Sequence, residues 1–403
     1  MGEFHFARQA IFDKQLNVVA YELLYRGDNL EYANVTDGTM ATSQLIINAF
    51  LDMDLEKAVG GNRAFINLNR ELLISDKLYQ LPKELVVLEV LEDVKPDKEV
   101  VDAIAHLVKL GFTVALDDFC YQPELQPMVN LAQLIKIDIL QLTKEEVQDH
   151  AQQLKGQGKQ LLAEKIETTE QFEYCKQLGF DFYQGYFISR PNIMKGRRPP
   201  SNRLLTLQLL NELQRPDASL QQLEEIIIRD VSFSYRVLRS VNSAMYNLPR
   251  EVESIRTAVQ LLGMSKLQHL ASLVALSQID DKPSELINIA LIRAKMAELM
   301  CQDSGSNSPE IGFTVGLFST LESLLDISMS EIISELALSE EIKNALLHQQ
   351  GPLGELLTTI INYESGDWKA LSQQQSHYSA AEVGEHYLTS ISWADQVIAE
   401  VPR

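Results

Sequence analysis

This chain has little cysteine, little positive charge and no long apolar run. Its three cysteines (Cys120, Cys175 and Cys301) form neither an even set nor a metal-binding spacing. That argues against a disulfide scaffold or a structural zinc site and fits a reducing cytoplasm. Lysine and arginine number 35 against 56 aspartates and glutamates, a net charge of -21. Such a balance argues against a nucleic-acid polymer or an anionic lipid surface as partner. A small anionic ligand stays open, provided a divalent ion and local cations neutralise it. No apolar segment approaches the roughly 20 residues that cross a bilayer, so no membrane insertion is expected. The opening Met1-Gly2-Glu3-Phe4-His5-Phe6 has no basic patch before an apolar core, so no secretory signal is expected.

What is present is ordinary for a globular protein: 45% hydrophobic and 23% charged residues over 403 positions, enough for two domains with their own cores. The first half repeats one arrangement. Seven short apolar runs end, in order, at Glu22, Asn67, Glu89, Asp117-Asp118, Asp138, Glu164 and Gln184. Between them, 42–59, 98–110 and 168–178 carry apolar residues at helical spacing, the last two closed by Gly111 and Gly179. Near-continuous apolar strands alternating with helices predict a parallel sheet covered by helices. A TIM-like barrel gathers all its strand ends at one mouth, whereas the competing open doubly wound sheet does not bring seven successive ends together.

Glu22, Asn67, Glu89, Asp117 and Asp118 are hard oxygen donors with no histidine or cysteine among them, a set suited to Mg²⁺ or Mn²⁺ rather than zinc. Crowded carboxylates need cations between them. Two such ions activate a water and stabilise an in-line displacement at phosphorus. Lys136 is a candidate to neutralise charge on the phosphate, Glu164 to deprotonate the water, and Arg26 to hold a non-reacting phosphate. Taken singly, an acid at a strand end is usually a solvated rim residue, and an Asp-Asp pair is usually a turn or helix cap. The ordered set outweighs those readings.

Glu22-Leu23-Leu24-Tyr25-Arg26 resembles the signature of EAL domains, the cyclic di-GMP phosphodiesterases. Phe65-Ile66-Asn67-Leu68-Asn69, Leu88-Glu89-Val90-Leu91-Glu92, Ala115-Leu116-Asp117-Asp118-Phe119 and Ile135-Lys136-Ile137-Asp138 resemble the signatures that follow. Ala163-Glu164-Lys165-Ile166-Glu167-Thr168 and Gln184-Gly185-Tyr186 through Arg190-Pro191 complete the set, over residues 5–192. The resemblance implies metal ligation by Glu22, Asn67, Glu89 and a bridging Asp117, with Asp118 completing a second metal site. It also implies Lys136 at the phosphate, Glu164 as general base, and Asp138 and Gln184 on the substrate side, with pGpG as product. Glu92 and Glu167 would support loops, and a homodimer is in keeping with the family.

Three departures stand out. Cys120-Tyr121-Gln122-Pro123-Glu124-Leu125 replaces the family's glycine-containing loop, Leu23 replaces an alanine, and Lys165 replaces a glycine beside the proposed base. Strand alternation is expected to point Lys165 away from Glu164. The rival to hydrolysis is therefore a catalytically weak or inactive barrel that serves as a cyclic di-GMP receptor or a protein scaffold.

Residues 190–202, rich in proline and cations, read as a linker, so the domains are expected at 1–195 and 196–403. Beyond it the periodicity is helical only: 204–213, from 220, 230–242, 254–262, 266–276, 284–300, 312–325, 329–335 and 380–397. Asp217-Ala218-Ser219 reads as a cap, and Met245 and Tyr246 as core or interaction residues. The chain contains no His-Asp dipeptide, and His269, His348, His377 and His386 are scattered. Residues 238–244 and 254–263, continued over 286–365, resemble HDOD domains. That implies an all-α, non-catalytic regulatory or adaptor module with a protein partner.

Overall fold

Eight strands close into a barrel in the order β1-β2-β3-β4-β5-β6-β7-β8. The fold is that of a computed structural model, which describes residues 5–26, 55–189, 201–215, 218–243, 252–279, 282–305, 308–374 and 378–400. Contacts divide the chain into two compact units, Met1–Ile188 with Asn362–Gln375 and Ser189–Ile361 with Ser376–Arg403.

The strands of the first unit are β1 (His5–Phe12), β2 (Val18–Arg26), β3 (Arg63–Leu68), β4 (Val86–Val90), β5 (Thr113–Leu116), β6 (Leu134–Asp138), β7 (Gln160–Glu164) and β8 (Phe182–Gln184). From β2 to β8 neighbours run parallel, which matches the near-continuous burial of β4 and β6. β1 is different. It runs antiparallel to both β2 and β8 and closes the barrel between them. The sequence reading, built on parallel strands, missed it because Arg8 and Gln9 interrupt its apolar run. Arg8 is nonetheless buried, its guanidinium 4.2 Å from the Tyr21 ring and donating to the Ala58 carbonyl at 2.7 Å.

Helices wrap the barrel where caps allow them to start. Lys98–Leu110 begins at Asp97, whose carboxylate accepts from the Val100 N–H, and ends at Gly111. Thr169–Gln177 opens with a reciprocal Thr168–Gln171 capping box. Lys144–Gly156 opens with another, Thr143–Glu146, and was missed in the sequence because its core face is only Val147, Ala151 and Leu154. Of the expected helix at 42–59, Leu55–Ala58 is helical, and 42–54 lie outside the described residues.

The described residues of the second unit form helices only. Ser284–Ser304 lies at its centre, packed against Pro309–Phe318 and Ala380–Glu400. A methyl group at Gly316 would meet the Arg293 carbonyl and the Ala294 backbone, so two helices touch there backbone to backbone. The expected continuous helix at 312–325 is corrected. It starts earlier, at Pro309, and breaks after Phe318, with a short helix resuming at Leu321–Leu325. At the break the Ser319 and Thr320 hydroxyls donate back to the Gly316 and Leu317 carbonyls, competing with the helical ladder. Ser219 caps Leu220–Ile228. Asp217, Met245, Tyr246, His377 and linker positions 190–200 lie outside the described residues. Among the described residues, no helix is long and apolar enough to cross a membrane.

Candidate active site at the barrel mouth

The site is one layer of side chains above an apolar floor. Ile11, Ala20, Phe65, Val87, Ala115, Leu134 and Leu162, one from each of seven strands, pack together with Phe182 of β8 inside the barrel. Strand side chains alternate between faces, so the residue two positions on points the same way, one step nearer the mouth. Counting two on from the parallel floor residues gives Glu22, Asn67, Glu89, Asp117, Lys136, Glu164 and Gln184. Counting two back from Ile11 on the antiparallel β1 gives Gln9, which pairs in register with Glu22. The barrel thus stacks a ring of polar groups on a ring of hydrophobic ones.

At the centre of that ring is the Lys136 ammonium, fully buried. It lies 2.8 Å from Glu164, 3.0 Å from Asp117 and 3.3 Å from Glu22, and it pairs closely with Glu89. Asn67 donates to Glu22 at 3.0 Å. Gln184 donates to Glu22 at 2.7 Å and to Gln9 at 2.9 Å. Gln9 was not among the sequence candidates. The two-residue step from Ile11 would have found it once β1 was recognised as a strand.

Burial sets the protonation of this layer. It pushes the Glu164 carboxyl up to about 8, with Asp117 and Glu22 adding to the rise and Lys136 opposing it. Burial and the neighbouring Glu22 drive Glu89 well above the carboxylate range in the same way. Burial works against the charge on Lys136, but Glu164, Glu22, Glu89 and Asp117 together overcome it and raise the ammonium well above its usual value. Burial also tends to raise Asp117, yet the Lys136 charge and hydrogen bonds from Glu89 and Lys136 hold it low. The result is a layer that keeps both protons and a positive charge near neutral pH.

Two overlapping sets of acids bring oxygens close enough to share a metal ion: Glu22, Glu89 and Glu164, and Asp117, Asp118 and Glu164. Both are oxygen-only, which fits a hard divalent ion. One buried oxygen of Glu164, the member common to both, has no hydrogen-bond partner. An unmet carboxylate oxygen at that junction is what a cation would satisfy. These residues fit a divalent metal ion.

The remaining candidates are dispersed around the rim. Asp138 is buried, accepts from the Leu140 N–H at 2.8 Å and pairs with Lys165 at 2.5 Å. Arg26 closes β2, and its side chain lies outside what the structure describes. Glu92 is exposed in the turn after β4, and Glu167 is half-buried just before the Thr168 cap. The altered loop is held from another side, since the Tyr121 N–H donates to His150 Nε2 at 3.0 Å.

The expectation for Lys165 is corrected. β7 ends at Glu164, and Lys165 adopts a left-handed backbone (φ 56°), so alternation no longer governs its direction. Its ammonium turns into the mouth and contacts Asp118 at 3.3 Å as well as Asp138. Next to it, a methyl group at Gly185 would strike the Ile166 backbone, so the end of β8 closes tightly against this turn.

The acids, amides and lysine of the motifs quoted above meet at this mouth, and comparison with known proteins identifies the family. The EAL domain family matches residues 41–191 and the HDOD domain family residues 200–350. The protein YuxH of Bacillus subtilis (strain 168) is 33% identical over 401 residues, covering 97% of this chain and 98% of its own. The protein of Vibrio cholerae (El Tor Inaba N16961) named cyclic di-GMP phosphodiesterase CdgJ is 32% identical over 398 residues, covering 97% and 92%. The chain belongs to the EAL–HDOD family. Among solved structures, an EAL domain protein of Listeria monocytogenes EGD-e aligns with 47% of this EAL–HDOD chain and 88% of its own, at 17% identity and a TM-score of 0.39.

Proposed function

We propose that this EAL–HDOD protein hydrolyses cyclic di-GMP to pGpG at the barrel mouth. The observation that carries the reading is the convergence of four carboxylates on one buried ammonium, Lys136, directly above the barrel floor. Its likeness to CdgJ over nearly the whole length supports the substrate class.

Glu22, Asn67, Glu89 and Asp117 would hold a divalent ion, and Asp117, Asp118 and Glu164 are the nearest set for a second. Mg²⁺ or Mn²⁺ bound there supplies a water of lowered pKa and neutralises the phosphodiester. Glu164 takes the water's proton. Its carboxyl, held up to about 8 by burial, falls once positive charge lies beside it, which frees it to act as a base near neutral pH. Lys136 donates toward the phosphate oxygens as charge develops there. Gln184, held by Glu22 and Gln9, orients the water. Arg26 and Asp138 sit at the rim, where the rest of the dinucleotide would lie. The helical unit acts as a regulatory or adaptor module for a protein partner, in the cytoplasm, and the chain pairs as a homodimer.

A second reading, a receptor with weak or no turnover, draws on Lys165, whose ammonium already engages Asp118 and Asp138. Incubating the full chain with cyclic di-GMP and Mn²⁺ and following pGpG separates the two. Product release by the wild type, and Glu164→Gln that binds nucleotide without turnover, is the expected pair of results. Nucleotide binding with no product from either protein points to the receptor; no binding at all leaves a scaffold.

A further inference from the structure

We infer that the Lys165 ammonium takes the place of a second divalent ion, so that this barrel loads one metal ion where its acids could hold two. The inference rests on the proposed metal-binding role of the mouth.

The starting observation is that Lys136 touches members of both acid sets, whereas Lys165 reaches the second through Asp118, the member Lys136 leaves. Lys136 lies inside the set of Glu22, Glu89 and Glu164 and comes from the barrel floor's own strand face. Lys165 holds Asp118, the member that distinguishes the second set, and ties it to Asp138 on the neighbouring strand. The Lys165 contacts are 2.5 Å to Asp138 and 3.3 and 3.4 Å to the two Asp118 oxygens, the geometry of charge-assisted hydrogen bonds at the first and of a looser ion pair at the second.

The backbone reinforces the point. Lys165 and Asp118 both have positive φ, 56° and 37°, and neither is glycine. A left-handed backbone is strained for most side-chain-bearing residues and less so for aspartate, so the strain falls chiefly on Lys165. From this backbone the Lys165 ammonium reaches both Asp118 and Asp138. Glu164 meanwhile keeps one buried oxygen without a hydrogen-bond partner, available to take the proton of a water at the remaining ion. An ammonium supplies one positive charge, no Lewis acidity and no exchangeable ligand position. It can therefore neutralise Asp118 and Asp138 without activating water, leaving activation to the single ion beside Glu164.

Mn²⁺ binding to the metal-free full chain, followed by the electron paramagnetic resonance of free Mn²⁺, tests this by counting ions rather than activity. The wild type is expected to take up one ion per chain over the micromolar range. Lys165→Gly, which suits the backbone and removes the ammonium, is expected to take up two. Its second site should be tighter by on the order of tenfold to a hundredfold, the worth of one charge-assisted hydrogen bond. Lys165→Asn, which also tolerates the left-handed backbone and removes the ammonium, is likewise expected to take up two, and this arm holds if the glycine variant misfolds. Two ions in the wild type with no change in Lys165→Gly overturn the inference while leaving the metal site intact. No Mn²⁺ in any of the three overturns the metal-binding role itself.

Discussion

The two units handle buried polarity in opposite ways. At the barrel mouth Glu22, Glu89, Lys136, Asp138 and Glu164 are all buried and crowd into one region, and Glu89, Lys136 and Glu164 hold their protons more tightly than usual. Among the described residues of the helical unit the buried and half-buried polar groups are spread out rather than clustered. Arg203 pairs with Asp326, Ser272 donates to the Gln268 carbonyl, and His269 stacks on Phe313 with ring centroids 4.4 Å apart. Both groups of acids able to share a metal, among the described residues, lie in the barrel. Clustered buried charge costs stability and persists where it performs chemistry; dispersed polarity serves packing. The difference singles out the barrel mouth as the candidate site of chemistry.

The contrast is broken most severely by removing the ammonium at its centre. Lys136→Met leaves carboxylates buried with no compensating charge, which costs about 3–5 kcal/mol. In the metal-free full chain, hydrogen exchange should show β4, β6 and β7 peptides losing protection while the 284–304 peptide keeps its own. Unchanged protection in the strands would mean that the carboxylates lose their charge by taking up protons and that Lys136 does not hold the layer together.

Much of this site was readable from the chain because period-two strands make it so. Once Phe65, Val87, Leu134 and Leu162 are taken as floor, Asn67, Glu89, Lys136 and Glu164 follow two residues later on the same face. The parts that were not readable depend on where strands stop. Lys165 follows a strand end, and its left-handed turn reverses the side expected from alternation. β1 escaped because a buried Arg8 looks in sequence like a surface residue, and its partner, the Ala58 carbonyl, is fifty positions away. In the helical unit the break after Phe318 was hidden because the apolar stripe runs on through it, and the hydroxyls that interrupt the ladder look like ordinary helix-surface residues.

Gly316 sharpens the comparison from the helical side. Its neighbour across the helix pair is backbone, the Arg293 carbonyl, which cannot rotate out of the way. Gly316→Ala should therefore cost about 3 kcal/mol, the upper end of overpacking, although alanine is the better helix former. Urea unfolding followed together with hydrogen exchange of the 284–304 and 309–318 peptides measures it. A variant as stable as the wild type would mean that the two helices separate at little cost. The rigid packing assigned to this unit would then be wrong.

The smallest expected effect is a pH dependence that belongs to the helical unit alone. Burial lowers His269 to about 4, with Glu310 pulling weakly the other way, and its ring is within 3.3 Å of the Thr314 hydroxyl. The folded state therefore prefers the neutral imidazole. This contribution is fully present above the unfolded value near 6.5 and is lost as pH falls through about 4. On the order of 1–2 kcal/mol is at stake, below the ceiling set by the shift because the ring keeps some exposure. Carboxylates in both units titrate over the same range, so the measurement is the stability difference between wild type and His269→Leu at pH 7 and at pH 4. That difference should move toward the variant on acidification. If it stays flat, the imidazole is protonated in place with its charge solvated, and the helical unit tolerates at least one buried charge much as the barrel does.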